Sequence, residues 1–465
     1  MTEFLTLMKS ELIVTAIIFI LLFIKVGKGI KNEWLLPWIQ ILLLINFITG
    51  FFFNKEGDLF GAMFHTSPLI AFQKNILSFG AYLISLLCAD WLKKSRNLAE
   101  FFMLMLSALL GMFFLVSSGN LLIFYLSIEL ASIPVAAMAN FELQKRYSSE
   151  GAMKMILSSA FSSGILLFGI SLIYGVTGTI SFAEIPQHLN NSALQTAAFI
   201  FIFSAFAFKL SIVPFHLWTA DVYEGSPFPT ASFLSVISKG AFAFILITVL
   251  YKVFQPIQDL WYNLLIAVAV LTMIVGNLFA LRQQNIKRFL AFSSIAQVAF
   301  IILGISSNDH AGITAVVYFV LIYVFSNLAA FGVASIISGY SGKENIDDYK
   351  GLYQTNPFLG WVFTLALFSL AGVPPTAGFF GKLFLLAAAG SRASYGLIII
   401  AALNMVVSLY YYLRIVRAIF IDKNENPIEK IQPDKSTRFG LIICSGGILL
   451  TGILSWVYDY IQSLH

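Results

Sequence analysis

The sequence is short of charge. Asp, Glu, Lys and Arg make up 11% of its 465 residues, against about 25% in soluble domains. Cysteine is nearly absent. The two present, Cys88 and Cys444, lie in different apolar segments. With no CxxC and no Cys/His cluster, no ligand set exists for an iron–sulfur cluster or structural zinc. There is no GxGxxG and no Walker motif, so nucleotide binding by this chain is not expected. The net charge of +5 is small and scattered, which implies no nucleic acid partner. No basic run precedes the first apolar stretch. MTEFLTLMKSEL instead carries Glu3 and Glu11, so that stretch reads as a retained span rather than a cleaved signal.

What is present is apolar surface. Hydrophobic residues make up 59% of the chain, with 46 Phe. About fourteen segments are long enough to span a bilayer, each needing about 20 apolar residues. Their approximate limits are 11–26, 34–53, 69–92, 99–118, 120–140, 150–175, 194–217, 228–252, 260–281, 286–306, 311–340, 357–389, 394–420 and 438–458. Hydropathy leaves two points open: the division at Gly119-Asn120, and whether 357–389 counts once or twice. Loop charge gives a second signal. Odd-numbered loops hold Lys25, Lys28 and Lys31; Lys93, Lys94 and Arg96; Lys145 and Arg146; Arg282, Lys287 and Arg288; Lys343 and Lys350; and Lys423, Lys430, Lys435 and Arg438. Even-numbered loops hold little beyond Lys55, Lys252 and Arg392. Positive charge favours the cytoplasm, so both termini are expected on the non-cytoplasmic side. The expected class is an all-α polytopic membrane protein.

Two segments contain a helix-breaking repeat. Phe208-Lys-Leu-Ser-Ile-Val-Pro214 and Phe368-Ser-Leu-Ala-Gly-Val-Pro374 both read F-x-L-x-x-V-P. Proline removes a backbone donor and clashes with the carbonyl four residues back. The carbonyls of Leu210, Leu370 and (through Pro375) Ala371 are thereby freed. Such backbone survives at membrane depth only inside protein or beside a wet cavity. As one helix, 357–389 would be roughly 50 Å long, too long for a hydrocarbon core of about 30 Å, so a break at Gly372–Pro375 is expected. The interrupted spans are the seventh and twelfth. An odd offset of five makes the copies inverted, the pattern of ion-transporter cores. The expected division is 1–98 (helices 1–3), 99–252 (repeat 1, helices 4–8), 253–422 (repeat 2, helices 9–13) and 423–465 (helix 14).

Charges inside the spans mark the candidate path, since each is costly there unless hydrated or paired. Glu129 lies mid-span with Pro134 five residues on, the same spacing as Lys209 to Pro214. Moving Glu129 toward or away from Lys209 would switch the lysine between holding and releasing a proton. Lys239 sits about eleven residues into the eighth span, with Ser235 and Ser238 as candidate partners. Lys382 follows the second break by about two turns. Lys154 begins the sixth span, where snorkelling competes with function. Lys74 reads as interfacial. His216, beside the first break, is a candidate proton relay or an anchor for the elbow. Tyr410–Tyr412 with Arg414 and Arg417 reads as an interfacial belt. These features fit a proton-conducting subunit of a redox-driven pump or a cation/proton antiporter, and the buried charges argue against a mere scaffold.

Lys209 to Pro227, K-L-S-x-V-P-F-H-L-W-x-x-D-V-Y-x-G-S-P, with the later Ser238-Lys239, resembles the subunit N family of antiporter-like membrane subunits of respiratory complex I. The run L-A-G-V-P-P-T-A-G-F-F-G-K ending at Lys382 is similar to the same family, and the resemblance covers essentially the whole chain. The DVYxGSP elbow favours subunit N over subunits L and M and over Mrp antiporters, which share the fold. The resemblance implies proton entry from the cytoplasm to Lys209, coupled to Glu129. The proton would then pass Lys239 and a hydrated axis toward Lys382, with Lys154 in support. It implies that NADH, FMN, iron–sulfur clusters and quinone belong to partner subunits, with no cofactor in this chain. It also implies neighbours M, K and J, and a bacterial inner membrane. In the tenth span Ser294-Ile-Ala296 has no carboxylate matching Ser127-Ile-Glu129, so the halves are not equivalent.

Overall fold

Twelve helices among the described residues are long and apolar enough to cross a bilayer. They are Asn32–Thr49, Pro68–Leu87, Leu98–Val116, Leu121–Ala139, Arg146–Thr177, Ala193–Leu210, Phe228–Val253, Gln255–Arg282, Ile286–Ser306, His310–Ser341, Tyr395–Phe420 and Lys435–Ile453. Lys9–Val26 precedes them as the first span, its charges confined to the end turns. Pro357–Ala371 and Ala377–Gly390 are shorter apolar helices and form the two halves of the twelfth. The structure, a computed structural model, describes residues 2–27, 30–190, 192–390, 395–454 and 456–465. Lys28, Arg392 and the expected start of the thirteenth segment at 394 lie outside them.

The order follows the apolar segments of the sequence, and capping residues set many of the starts. Ser67, Asn120, Ser192, Asn285, Asp309 and Asp434 each accept a backbone N–H from the first turn of the helix that follows, supplying acceptors for donors that the helix leaves orphaned. The question at Gly119-Asn120 is settled by a true break, since Asn120 caps the fifth span. Gly119 is needed there, because a Cβ would sit 2.0 Å from the Ala62 carbonyl oxygen. Ala62 belongs to a short antiparallel hairpin, Gly57–Leu59 with Phe64–Thr66, which the sequence reading did not anticipate. It is held from outside itself: His65 N–H donates to Ser117 O and Gly119 N–H to Met63 O.

The third, eighth, tenth and eleventh spans are 83% to 100% buried and form the centre of the bundle. The second, fifth, sixth, ninth, thirteenth and fourteenth are 33% to 44% buried, and they present Trp38, Ile133, Phe161, Leu278, Val406 and Leu450 outward. The sixth and eleventh spans are both 32 residues long, and each ends at a left-handed glycine, Gly178 and Gly342. The tyrosine belt is corrected. Tyr410 is exposed, but Tyr411 and Tyr412 are wholly buried. Successive residues on a helix point about 100° apart, so three in a row cannot share one interface.

Candidate functional site

The two broken helices end in the same way. Ala193–Leu210 stops at Ser211, with φ 62°, and Pro357–Ala371 stops at Gly372, with φ 85°. Ile212 N–H then reaches back to Ala207 O at 2.8 Å, and Val373 N–H to Phe368 O at 3.0 Å. This is the wide bond of a left-handed helix stop. The Ser211 hydroxyl accepts from Thr219 Oγ1 at 2.6 Å, which ties the break to the elbow helix. Glycine suits 372 because of its φ, and a Cβ there would also press on Lys382, whose Cδ would lie 3.2 Å away.

The second break exposes the carbonyls that the prolines free, and Lys382 takes them. Its ammonium donates to Leu370 O at 2.7 Å and Ala371 O at 3.2 Å, above the ring of Phe300. Gln297 of the tenth span donates to the same Leu370 oxygen at 2.8 Å and to Tyr412 Oη at 3.2 Å. Tyr412 in turn meets Ser293 Oγ at 2.5 Å.

Lys209 is buried at the end of the seventh span and is held by two hydroxyls. It donates to Ser132 Oγ at 2.5 Å and Ser159 Oγ at 2.8 Å. Ser132 lies three residues after Glu129 on the fifth span, on the same helix face. Glu129 itself is half-buried, and its Oε1 has no hydrogen-bond partner among the described residues. The structure therefore brings the carboxylate within a turn of the hydroxyl that holds Lys209, without an ion pair between them. A cavity of about 20 Å³, enough for one water, is lined by Ser132, Lys209, Trp218 and Ser238. It leads from Lys209 to the residue before Lys239.

Lys239 follows a π-helical stretch, Phe233–Ser238, a feature often found at functional positions. Its partner is Ser294 Oγ of the tenth span, at 2.7 Å. This differs from the expected Ser235 and Ser238. The wider turn sends Ser235 to Asn327 Nδ2 at 2.5 Å and Tyr323 Oη at 3.3 Å on the eleventh span. Next along that helix, Ser326 Oγ meets Ser369 Oγ at 2.7 Å. Ser369 adjoins Leu370, whose carbonyl holds Lys382. Buried polar groups thus run from Lys239 to Lys382. Of these partners, Ser132, Ser159, Gln297, Tyr323 and Asn327 are not singled out by the sequence, while Tyr412 reads there as interfacial and Ser294 stands out only for the missing carboxylate beside it. The available signal was amide and hydroxyl side chains inside long apolar runs.

Lys209, Lys239 and Lys382 are 7%, 2% and 1% exposed. None enters an ion pair with a described carboxylate, unlike Lys74 and Lys287. Lys154 is placed differently. It is half-exposed and paired with Glu150 at 2.9 Å and Asp221 at 2.6 Å. Asp221, on the elbow helix Leu217–Gly225, also binds Arg288, which reaches Glu224. Lys154 is thus tied to the elbow rather than to the buried line. His216 is buried beside the first break, with its ring edge-on to Phe279 at 6.2 Å. Lys74 is not interfacial, since it is buried against Glu11.

Paired interrupted helices with buried, unpaired lysines define a membrane subunit of the antiporter-like class. Residues 118–408, which include all five candidate residues, match the family described as NADH:quinone oxidoreductase/Mrp antiporter, TM. A NADH-quinone oxidoreductase subunit N from Phocaeicola vulgatus is 46% identical over 461 residues, covering 98% of this chain and 97% of its own. A chain of respiratory complex I from Thermus thermophilus with bound aureothin superposes with a TM-score of 0.82 at 26% identity, over 96% and 97% of the two chains. A chain of the Mrp complex from Dietzia sp. superposes with a TM-score of 0.78 at 19% identity, over 99% and 93%, and shares the fold. The chain belongs to the NADH-quinone oxidoreductase subunit N family.

Proposed function

We propose that this chain carries protons across the membrane as a subunit of a NADH:quinone oxidoreductase, using Lys209, Lys239 and Lys382 as successive proton carriers. One observation supports this above the others: three almost wholly buried lysines donate to neutral oxygens, with no ion pair among the described residues. An ammonium so placed is costly, and a purely structural polar core has no need of three. Lys209 receives a proton from the cytoplasmic side and holds it between Ser132 and Ser159. The nearby Glu129 carboxylate sets how firmly it is held. Approach of the carboxylate favours the ammonium, and withdrawal releases the proton. The water-sized cavity lined by Ser238 passes it to Lys239. The hydroxyls of Ser235, Tyr323, Ser326 and Ser369 bridge the interval to Lys382. Lys154 supports the path by fixing the elbow through Asp221.

In this reading the redox chemistry lies in partner subunits, which hold NADH, FMN, iron–sulfur clusters and quinone. The adjacent antiporter-like subunit M and the small subunits K and J are the neighbours. The membrane is the bacterial inner membrane, with both termini on the non-cytoplasmic side. The two five-helix units, 99–252 and 253–422, are inverted copies. The test is Lys209→Ala and Glu129→Ala in the whole complex in sealed vesicles, with proton uptake and quinone reductase activity read together. The expected result is fewer protons per NADH in an assembled complex. Unchanged ratios in both variants would sink the reading.

A further inference from the structure

The first three spans contain a buried charge pair outside the lysine path. Glu11 of the first span lies 2.5 Å from Lys74 of the third, and their side chains are 2% and 3% exposed. The Lys74 ammonium also sits over the ring of Phe64, 4.7 Å from its centroid. Removing two charges from water costs several kcal/mol per ion, and well-packed apolar residues of similar volume often do as well or better. Stability alone does not explain the pair.

Its surroundings are wet in chemistry. Both amide atoms of Asn75 and the Oδ1 of Asn46 are buried without a hydrogen-bond partner among the described residues, and so is Glu11 Oε2. Asn46 donates to Ser78, and Ser78 to the Lys74 carbonyl, at 3.0 Å each. Unpaired buried amides beside an ion pair are the setting for bound water. The surface lies close by. Lys9, two residues before Glu11 and partly exposed, donates to Asn54 Oδ1 at 2.6 Å and to the Phe52 carbonyl. Asn54 donates to Gly50 O at 3.1 Å, and Asn75 Oδ1 lies against Gly50, 2.3 Å from where a Cβ would be. Other titratable groups on this side are Glu3, Lys55 and Glu56, and His65 and Asp58 of the hairpin, the last two paired with each other at 2.6 Å. Toward the core, Leu77 lies one turn beyond Lys74. Its side chain is 3.5 Å from the Cβ position of Gly240, the neighbour of Lys239.

We propose that Glu11 and Lys74 form a proton-exchange station between the lysine path and water on the face where the N-terminus lies. A proton arriving from the core adds to the Glu11 carboxylate, giving the neutral acid and cancelling its attraction to Lys74. Loss of that proton to water beside Lys9 and Asn54 restores the carboxylate and the pair. Lys74 keeps its own proton throughout, so one proton enters and one leaves. The proposal rests on the reading of Lys209 to Lys382 as a proton path.

The test uses the whole complex in sealed vesicles. Glu11→Gln combined with Lys74→Met removes both charges at nearly constant volume and leaves no lone buried ion. The expected result is retained quinone reductase activity with protons per NADH lowered as far as by Lys209→Ala. Adding Lys209→Ala to the pair lowers the ratio no further. A wild-type ratio in the double variant overturns the proposal, as does an additional drop in the triple. If the double variant does not assemble, Glu11→Asp keeps both charges but withdraws the carboxylate by one methylene. It should lower the ratio, and an unaltered ratio overturns the station. A wild-type ratio in both Lys209→Ala and Glu129→Ala overturns the path itself. Failure confined to the Glu11 and Lys74 variants overturns only the station.

Discussion

The Lys382 ammonium lies 2.7 Å from the carbonyl oxygen of Leu370, an acceptor that Pro374 has freed from its helix. The break and the lysine are thus one device, since the proline creates the acceptor that holds the cation. Gln297 shares that oxygen. Gln297→Leu should destabilise the chain by about 1–3 kcal/mol, because it removes a donor from Leu370 and from Tyr412. The measurement is the unfolding midpoint of the purified complex, and an unshifted midpoint contradicts the shared role.

Lys209 depends on two serines from different spans. Replacing both Ser132 and Ser159 with Ala should lower protons per NADH while leaving assembly intact. Each lost hydrogen bond to a charged group removes about 1.5–3 kcal/mol. Ser132→Thr keeps the hydroxyl and should retain more of the pumping than Ser132→Ala. Equal ratios in the two variants would count against the hydroxyl as the operative group.

Lys154 and Arg288 meet at Asp221 with unequal expected weight. The Lys154 side chain is 44% exposed, and pairs near the surface contribute about 0–1 kcal/mol. Arg288 joins two elbow carboxylates, Asp221 and Glu224. Arg288→Ala should therefore cost more stability than Lys154→Ala. Thermal denaturation of the two variants decides it, and the reverse order would overturn this account of the elbow.

Asp434 caps the fourteenth span and pairs with Lys93 at 2.6 Å. Burial pushes its carboxyl up, but Lys93 and the Ser436 N–H outweigh that and hold it below the usual value. A depressed carboxylate contributes stability above its unfolded pKa of about 3.9, and the contribution is lost as pH falls through the folded value. Asp434→Asn should flatten this acid dependence below about pH 4 while keeping the cap. A denaturation series from pH 6 to pH 3 reads it out, and identical slopes in variant and wild type would exclude Asp434 as a source.

The sequence alone determined the spans, their order and the two breaks. Each is a local matter: twenty apolar residues, a capping side chain, or a proline that denies a bond to its own helix. It also picked out Lys209, Lys239 and Lys382, because a charge within an apolar run is conspicuous wherever the run folds. Only the tertiary structure decided what those charges face. Ser132, Ser159, Ser294 and Gln297 come from other spans, and nothing in their spacing along the chain reveals which helix will pack beside which. The same holds for Tyr411, Tyr412 and Lys74. Each looks interfacial by its place in the chain, yet each is buried because a neighbouring helix covers it. Partners across helices are set by packing in three dimensions, and one-dimensional periodicity fixes only the face from which a residue looks out.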